Sequence, residues 1–359
     1  MQSVGITSHG KPSEFQLLTF PRPEITDPTD VIIKVHAASV NPVDLKKADG
    51  IFKLALKDSF PYKIGYDAAG TVTDIGNSVT RFKIGDAVYV RLPESHRGSW
   101  SEYALCPERY IALKPPSLSF EEAASIPLAA TTAFQALRKY AGDLSGKTVL
   151  VPAGLGGTGL FACHLAKHVF HAGKVITTVS TSKVARIPEL LGEGTVDEII
   201  DYKKTDLKSI IPHGSIDFLF DTTGLAMEYL CLMRPKTGCI ISISTAPSGT
   251  QLQNSGVMRL PHRPVLPFIP RLVLNTTDSI RRLRAWRYGV SYSYMFLEPS
   301  GDDLDSLGGY VEQGKLRTVI GTMVDMQDID EVRKACQVVY SNQGGLGKVV
   351  IRVSSLGNE

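Results

Sequence analysis

The stretch that most constrains the fold is residues 147–160, KTVLVPAGLGGTGL, where an apolar, β-branched run passes through small residues into a helical pattern. We predict a strand, a tight turn and a helix. Such a turn brings unpaired backbone N–H groups to the positive end of a helix dipole, where a pyrophosphate can bind. Its alanine and glycines follow a variant of the glycine fingerprint, A-x-x-G-x-x-G. The candidate cofactor-binding residues of the turn are Ala153, Gly154, Gly156, Gly157, Thr158 and Gly159.

Glycine turns become specific evidence only when strands and helices alternate after them. Here the pattern predicts helices at 161–170 and 185–191, and strands at 174–180, 198–201, 216–221 and 239–244. These strands are almost continuously apolar, which is typical of a parallel sheet covered on both faces. The predicted fold class is therefore α/β, with a doubly wound parallel sheet that binds ligands at the carboxyl ends of its strands.

The regions on either side of this sheet have different patterns. Residues 1–127 alternate short strands with glycine turns, which predicts a mostly β, barrel-like domain. Residues 119–141 are helical, whereas the segment 247–270 has five prolines and no clean period. The remaining pattern predicts helices at 278–287, 302–313 and 328–340, and strands at 295–298 and 348–353.

Length and composition exclude several classes of protein. A chain of 359 residues is long enough for two domains, and a net charge of +3 favours neither nucleic acid nor an anionic membrane as a partner. The five cysteines are odd in number and scattered, which is typical of a reducing compartment. We find no signal peptide and no apolar run long enough to span a bilayer. These features predict a cytoplasmic protein without stable membrane insertion.

Several motifs together resemble the medium-chain dehydrogenase/reductase superfamily, and within it the zinc-independent quinone oxidoreductase and enoyl reductase branch. They are VHAASVNPVD at 35–44, GYDAAGTV at 65–72, FKIGDAVY at 82–89, IPLAATTA at 126–133, the 153–159 turn and GKVV at 347–350. The resemblance implies a GroES-like domain at 1–127, completed by 300–359. A Rossmann NADP(H)-binding domain at 128–299 would be inserted between these two parts. A homodimer is kept as an option for the assembly.

The same comparison bears on zinc. Members with catalytic zinc resemble one another in a cysteine after the second strand and in a Gly-His-Glu further on. Here the corresponding places hold Asn41 and Gly65-Tyr66-Asp67. Without thiolate and imidazole ligands a catalytic zinc is not expected, and a structural zinc would need four closely spaced cysteines where only Cys106 is present.

The choice of nicotinamide cofactor can be predicted from the second strand of the sheet. NAD sites usually have Asp or Glu about 20 residues after the glycine turn. The segment there has no carboxylate but offers Ser180, Thr181 and Lys183, which suit a 2′-phosphate, so we expect NADPH (NADP⁺) as the cofactor. The resemblance adds Tyr202 as a neighbour of that phosphate. The alternative is that these are ordinary solvated loop residues.

Hydride transfer needs mainly orientation from the protein, because the reactive atom belongs to the cofactor. By resemblance, Asn41 and Thr132 border the nicotinamide. Tyr62 and Tyr66 are candidate proton donors, although packing roles are the preferred interpretation and the proton can also come from solvent. Asn41 and Thr132 also have structural alternatives, as a turn residue and as a hydroxyl bonded within its own helix. The remaining cofactor-binding candidates, also taken from the resemblance, are Ser242, Phe296 and Lys348.

The preferred hypothesis is a zinc-independent, NADPH-dependent oxidoreductase that reduces an α,β-unsaturated carbonyl compound or a quinone, with a small-molecule substrate and no nucleic acid partner. One alternative is a carbonyl reductase or alcohol dehydrogenase on the same scaffold. Another is a dinucleotide-binding protein with a non-redox role.

Three other groups of residues are weaker indications of a functional site. His164, His168 and His171 share a helical face but lack the glutamate of a zinc helix. Asp44 follows a proline in a turn, where a capping carboxylate is the ordinary explanation. The arginine-rich segment around Trp286 resembles a basic-aromatic patch for nucleic acid or a membrane, but a solvated helix face is the preferred interpretation.

Overall fold

The computed structural model describes residues 1–341 and 345–353. The strands in this part of the chain are β1 Gln2–Ile6, β2 Gln16–Thr19, β3 Asp30–Val40, β4 Tyr62–Lys63, β5 Asp67–Ile75, β6 Ala87–Arg91, β7 Tyr103–Pro107, β8 Ile111–Leu113, β9 Thr148–Pro152, β10 Lys174–Val179, β11 Glu198–Asp201, β12 Phe218–Asp221, β13 Cys239–Ser242, β14 Ser291–Tyr294, β15 Ile320–Asp325 and β16 Lys348–Arg352. The α-helices are α1 Pro42–Ala48, α2 Phe120–Ala124, α3 Pro127–Leu137, α4 Gly159–His164, α5 Arg186–Leu191, α6 Leu207–Ile210, α7 Gly249–Asn254, α8 Phe268–Arg287, α9 Gly301–Glu312 and α10 Ile329–Tyr340.

The predicted parallel sheet is confirmed. Its strands lie in the order β11-β10-β9-β12-β13-β14, and every neighbouring pair is parallel. This is the doubly wound order in which the chain changes direction between the first and fourth strands. The central strands are fully buried because helices cover both faces, which explains their continuous apolar runs.

The N-terminal region forms a second, mostly antiparallel sheet of seven strands. Its order is β15-β16-β3-β5-β6-β8, with β7 paired to β3. Strands β15 and β16 come from the C-terminal part of the chain, so that part completes the N-terminal sheet. The domain boundaries at 127/128 and 299/300 stay a prediction, and residues 342–344 and 354–359 of the predicted C-terminal segment lie outside the described residues.

One local prediction was wrong and three descriptions were incomplete. The strand expected at 295–298 is instead β14, whose polar Ser-Tyr-Ser-Tyr sequence pairs with β13 in register from Cys239–Ser291 to Ser242–Tyr294. The helical region 119–141 is two helices, because Pro127 starts a new one. The segment 247–270, which seemed to have no period, contains α7 and the start of α8. The helix expected at 161–170 is α4 followed by a π-helical turn at Leu165–Val169.

Among the described residues, no helix is both long enough and apolar enough to cross a bilayer. The longest, α8, has 20 residues but contains five arginines.

Candidate functional site

The glycine turn lies between β9 and α4, at the carboxyl end of the central strand. Ala153 has a left-handed φ of 57°, a conformation that favours glycine. A side chain at Gly154 would place its Cβ 2.1 Å from Thr177 Oγ1, and one at Gly159 would place it 2.3 Å from the Ala153 carbonyl oxygen. These two glycines are therefore required by packing.

Gly156 differs from its neighbours in the turn. An added Cβ would meet only Ala153, at 3.1 Å from its carbonyl oxygen and 3.9 Å from its Cβ. Because Gly156 is only half-buried, the space beside it is open, as a cradle for a phosphate requires. Thr158 precedes α4, and its side chain makes no capping hydrogen bond to that helix.

The loops after β10 and β11 meet beside this turn. Ser180, Thr181 and Lys183 follow β10, and the Tyr202 backbone N–H donates to Val179 O at 3.2 Å. Lys183 Nζ donates to the Gly345 carbonyl oxygen at 2.9 Å, and burial holds the pKa of Lys183 below its usual value. Tyr202 is exposed. The structure therefore brings hydroxyl, ammonium and phenol groups together at one edge of the sheet.

Lys348 joins the glycine turn to the N-terminal sheet. Gly347 bridges to Gly156, and its N–H donates to Leu155 O at 2.8 Å. The Lys348 stem lies against Gly157, whose added Cβ would be 2.9 Å from Lys348 Cδ. Its Nζ, buried at 3% exposure, donates to Asn41 Oδ1 at 2.5 Å. One lysine thus spans the distance between the turn and Asn41.

Asn41 belongs to a buried polar network centred on Asp67. Its Nδ2 donates to Asp67 Oδ2 at 2.8 Å, and Ser39 Oγ donates to the same oxygen at 3.0 Å. The other oxygen accepts from the Leu128 N–H at 3.0 Å, and Lys348 Nζ lies 3.9 Å from Asp67 Oδ2. Burial raises the pKa of Asp67 and lowers that of Lys348, while the attraction between the two charges opposes both shifts.

Asp44 is a second buried carboxylate beside this network. It accepts from the Asn41 backbone N–H at 2.6 Å, which confirms the capping interpretation. Its other oxygen, Oδ1, is buried without a hydrogen-bond partner in the part of the chain that the structure describes. Burial, and then the Asp67 carboxylate, raise the pKa of Asp44 to about 8. Sequence reasoning missed this perturbed group, because a capping position gives no sign of how deeply it will be buried.

The two tyrosines lie in a neighbouring ionic cluster. The Tyr66 hydroxyl donates to Glu94 Oε2 at 2.5 Å, and burial together with that carboxylate raises the pKa of Tyr66 well above its usual value. The Tyr62 hydroxyl is buried and has no hydrogen-bond partner among the described residues, and Arg97 lies 4.3 Å from its ring centroid. Burial also raises the pKa of Tyr62. The cluster was not predicted, and its other members are Lys47 and Asp58.

The remaining candidates have structural contacts of their own. Thr132 Oγ1 donates to Leu128 O at 2.6 Å, within its helix. Ser242 Oγ donates to Asp221 Oδ2 at 2.8 Å and is fully buried, so it ties two adjacent strand ends together. Phe296 packs against an apolar cluster formed by Leu56 from the N-terminal region and by Leu252, Met258 and Leu266. This cluster lines the junction between the two parts of the chain.

The residues in the zinc positions do not suit zinc. Asn41 and Asp67 bond to each other, Tyr66 bonds to Glu94, and none supplies a thiolate or imidazole. The described residues contain no group of three or more His, Cys, Asp and Glu side chains arranged to hold a metal ion. On the predicted histidine face, His168 Nε2 contacts Thr195 Oγ1 at 3.0 Å and burial lowers the pKa of His164 to about 3.

Two protein families match this chain. The alcohol dehydrogenase GroES-like domain matches residues 27–116, and the zinc-binding dehydrogenase family matches residues 195–351. The first match agrees with the β-rich N-terminal region and the second covers most of the strands after the glycine turn.

Three similar proteins cover different shares of the chain. The tomato (Solanum lycopersicum) 2-methylene-furan-3-one reductase is 43% identical over 200 residues, which span 54% of this chain and 50% of that protein. The Bos taurus mitochondrial NAD(P)H oxidoreductase RTN4IP1 is 31% identical over 353 residues, covering 92% of this chain and 83% of that protein. The solved quinone oxidoreductase of Coxiella burnetii superposes with a TM-score of 0.80 at 28% identity and covers 99% of both chains.

Proposed function

We propose that this chain, which belongs to the medium-chain dehydrogenase/reductase superfamily, reduces an α,β-unsaturated carbonyl compound or a quinone with NADPH. The observation that carries the proposal is the buried Asn41–Asp67–Lys348 network, in which Asn41 and Asp67 stand at positions where, by resemblance, zinc-dependent members have metal ligands. The names of the tomato and Coxiella relatives support the two substrate classes.

The substrate class follows from the donors that are present. A simple ketone or alcohol gains strongly from a Lewis acid that polarises its oxygen. A conjugated acceptor needs less help, because the negative charge formed on reduction spreads to the carbonyl oxygen. Hydrogen-bond donors can stabilise that charge. One N–H of the Asn41 amide is bonded to Asp67, which leaves the other for the substrate oxygen, and Lys348 Nζ holds the amide in place through its oxygen.

NADPH fits the residues present at the sheet edge. The open space at Gly156 can receive the pyrophosphate, and Lys183, Ser180 and Tyr202 can contact a 2′-phosphate. When bound, the nicotinamide supplies the hydride. In this proposal Asn41 and Lys348 hold the reacting end in place, with Thr132 and Phe296 bordering it.

The proton that completes the reduction after hydride transfer comes from solvent in this proposal. The Tyr66 hydroxyl is already committed to Glu94, and burial makes both tyrosines weaker acids than usual. Tyr62 and Tyr66 therefore act through packing and the ionic cluster, not as proton donors. Tyr62→Phe should therefore leave kcat for an enone close to the wild-type value, and a large loss of kcat in a folded variant would restore Tyr62 as the proton donor.

The test is oxidation of NADPH, followed by its absorbance, with an enone, a quinone and a simple ketone in turn. We expect turnover with the enone or the quinone, in buffer without added metal, and much slower turnover with NADH. Turnover with the ketone alone would favour the carbonyl reductase alternative. Tight NADPH binding without turnover of any acceptor would favour a non-redox role.

We further propose a reducing compartment, such as the cytoplasm, because all five cysteines are free thiols and four of them are buried. Fractionation of cells that express the tagged full chain tests this. Homodimer formation stays a prediction that light scattering can check.

A further inference from the structure

Helix α8 presents an apolar face to solvent. Its inward positions include the buried Asp278 and Ala285. At 3.6 residues per turn, the exposed apolar side chains fall together on the opposite side. They are Phe268, Ile269, Leu272, Val273, Ile280, Leu283 and Trp286, with exposed fractions between 48% and 77%. They form two groups on this side, at 268–273 and 280–286, with the polar segment 275–279 between them. Exposed apolar groups of this size mark an interaction surface.

The charges on the same helix define the chemistry of its partner. The helix has five arginines and one acid, Asp278, which is buried and paired with Arg282 at 2.7 Å. Arg281 donates to the Ala246 carbonyl oxygen at 3.0 Å and lies, with Arg271 and Arg282, on the inward half of the helix. The charge available at the exposed side is therefore that of Arg284, at the border of the apolar side chains, and of Arg287, among them in the last turn. The partner must therefore be both apolar and anionic.

A second copy of the chain does not meet this requirement. A twofold contact places the same patch on both partners, so Arg284 and Arg287 of each copy would gain no anionic partner from it. An anionic lipid surface supplies an apolar interior beneath negative headgroups, which matches both features of the helix.

We infer that α8 lies in the surface of an anionic phospholipid membrane, with its apolar side chains in the headgroup and acyl boundary and with Arg284 and Arg287 at the phosphates. This revises the interpretation of a solvated helix face, and it agrees with the prediction of no stable membrane insertion. It is compatible with the finding that no described helix spans a bilayer. The inference does not rest on the proposed catalytic function.

The two tryptophans provide a direct measurement. Trp100 is fully buried, whereas Trp286 is 72% exposed on the apolar face. Adding vesicles of phosphatidylcholine with phosphatidylserine to the full chain should shift its fluorescence to the blue. Vesicles of phosphatidylcholine alone should cause a much smaller shift. Trp286→Phe should abolish the shift while the protein still sediments with the vesicles.

Paired variants test the apolar and charged parts separately. Ile269→Asp combined with Leu272→Asp should lower the vesicle partition coefficient at least about tenfold, because both side chains lose apolar burial. Arg284→Gln should lower it about fivefold, and added salt should lower it further. The controls are Ile84→Asp, at an equally exposed isoleucine elsewhere, and Lys139→Gln, and neither should change the partition.

Circular dichroism and NADPH titration establish that each variant is folded. Equal sedimentation with both vesicle types, or partition unchanged by the aspartates in a folded variant, would overturn the inference. If the wild-type protein does not bind vesicles, and light scattering shows a dimer that the aspartate substitutions dissociate, the apolar side of α8 is an interface with a second copy. Selective binding of this face to nucleic acid in place of vesicles would equally refute it.

Discussion

Replacing Gly156 with valine separates cofactor binding from folding. The new Cβ would lie 3.1 Å from the Ala153 carbonyl oxygen and meet no other residue within 4 Å, and Gly156 does not have a left-handed φ. The Ala153 carbonyl must give by a few tenths of an ångström, so we expect the free energy of unfolding to fall by about 1–2 kcal/mol while the protein stays folded. The same side chain occupies the space that the pyrophosphate needs.

The effect on binding should be far larger. Blocking two charge-assisted contacts between backbone N–H groups and phosphate costs about 3 kcal/mol or more, which corresponds to at least about a hundredfold in affinity. Titration of NADPH fluorescence measures the dissociation constant, and urea unfolding followed by circular dichroism measures stability. A folded Gly156→Val protein with wild-type affinity for NADPH would mean that the turn only packs a helix on its strand.

Two matched glycine variants complete the experiment. Gly154→Ala should unfold or severely destabilise the protein, because its Cβ would be 2.1 Å from Thr177 Oγ1. Gly309→Ala, in α9, meets nothing within 4 Å and should leave both stability and NADPH affinity intact or slightly improve stability. If Gly154→Ala is as stable as Gly309→Ala, the packing argument for the turn is wrong.

Other predictions concern charge and metal. Lys183→Ala should weaken NADPH binding roughly ten- to a hundredfold and NADH binding little, because a charge-assisted phosphate contact contributes about 1.5–3 kcal/mol. Lys139→Ala is the control. Equal losses of affinity for both cofactors would show that this loop does not bind the 2′-phosphate. Chelators should leave turnover unchanged, and elemental analysis should find substoichiometric zinc; activity lost with stoichiometric zinc would contradict this. The raised pKa of Asp44 disfavours its charged form in the fold, so wild-type stability should fall between pH 3.8 and about 8 relative to Asp44→Asn. Urea unfolding across that range checks the sign, and a parallel pH dependence would show that Asp44 is not the titrating group.

Patterns that depend on neighbouring residues in sequence predicted the fold well. The order of strands and helices around the glycine turn is confirmed, because continuous apolar runs distinguish buried parallel strands from other elements. The family resemblance is confirmed as well. β14 was missed because its Ser-Tyr-Ser-Tyr sequence is more polar than the adjacent Met-Phe-Leu. Its place is decided by pairing with β13, which no local pattern reveals.

The candidate site was predicted less completely, because its chemistry comes from contacts distant in sequence. Leu155 illustrates the limit. Its position in a glycine turn predicts a loop residue whose side chain can be shortened without loss of stability. In the structure Leu155 is 2% exposed and belongs to the main apolar core. Truncation to alanine should therefore cost about 2–5 kcal/mol of stability, even though the side chain does not face the phosphate space.

The placement of Lys348 follows from sheet register. β16 pairs antiparallel with β3, and Val349 is opposite Val40, so the preceding lysine lies opposite the following Asn41. In turn, β3 pairs with β5 so that Ser39 is opposite Asp67, which brings the carboxylate to the same end of the sheet. The turn into β16 requires glycine at position 347. Its φ of 60° is left-handed, and an added Cβ would lie 2.1 Å from Val319 O. A side chain at Gly347 would displace the lysine from both the glycine turn and Asn41, so the short Gly-Lys sequence at 347–348 couples the glycine turn to the buried Asn41–Asp67 network.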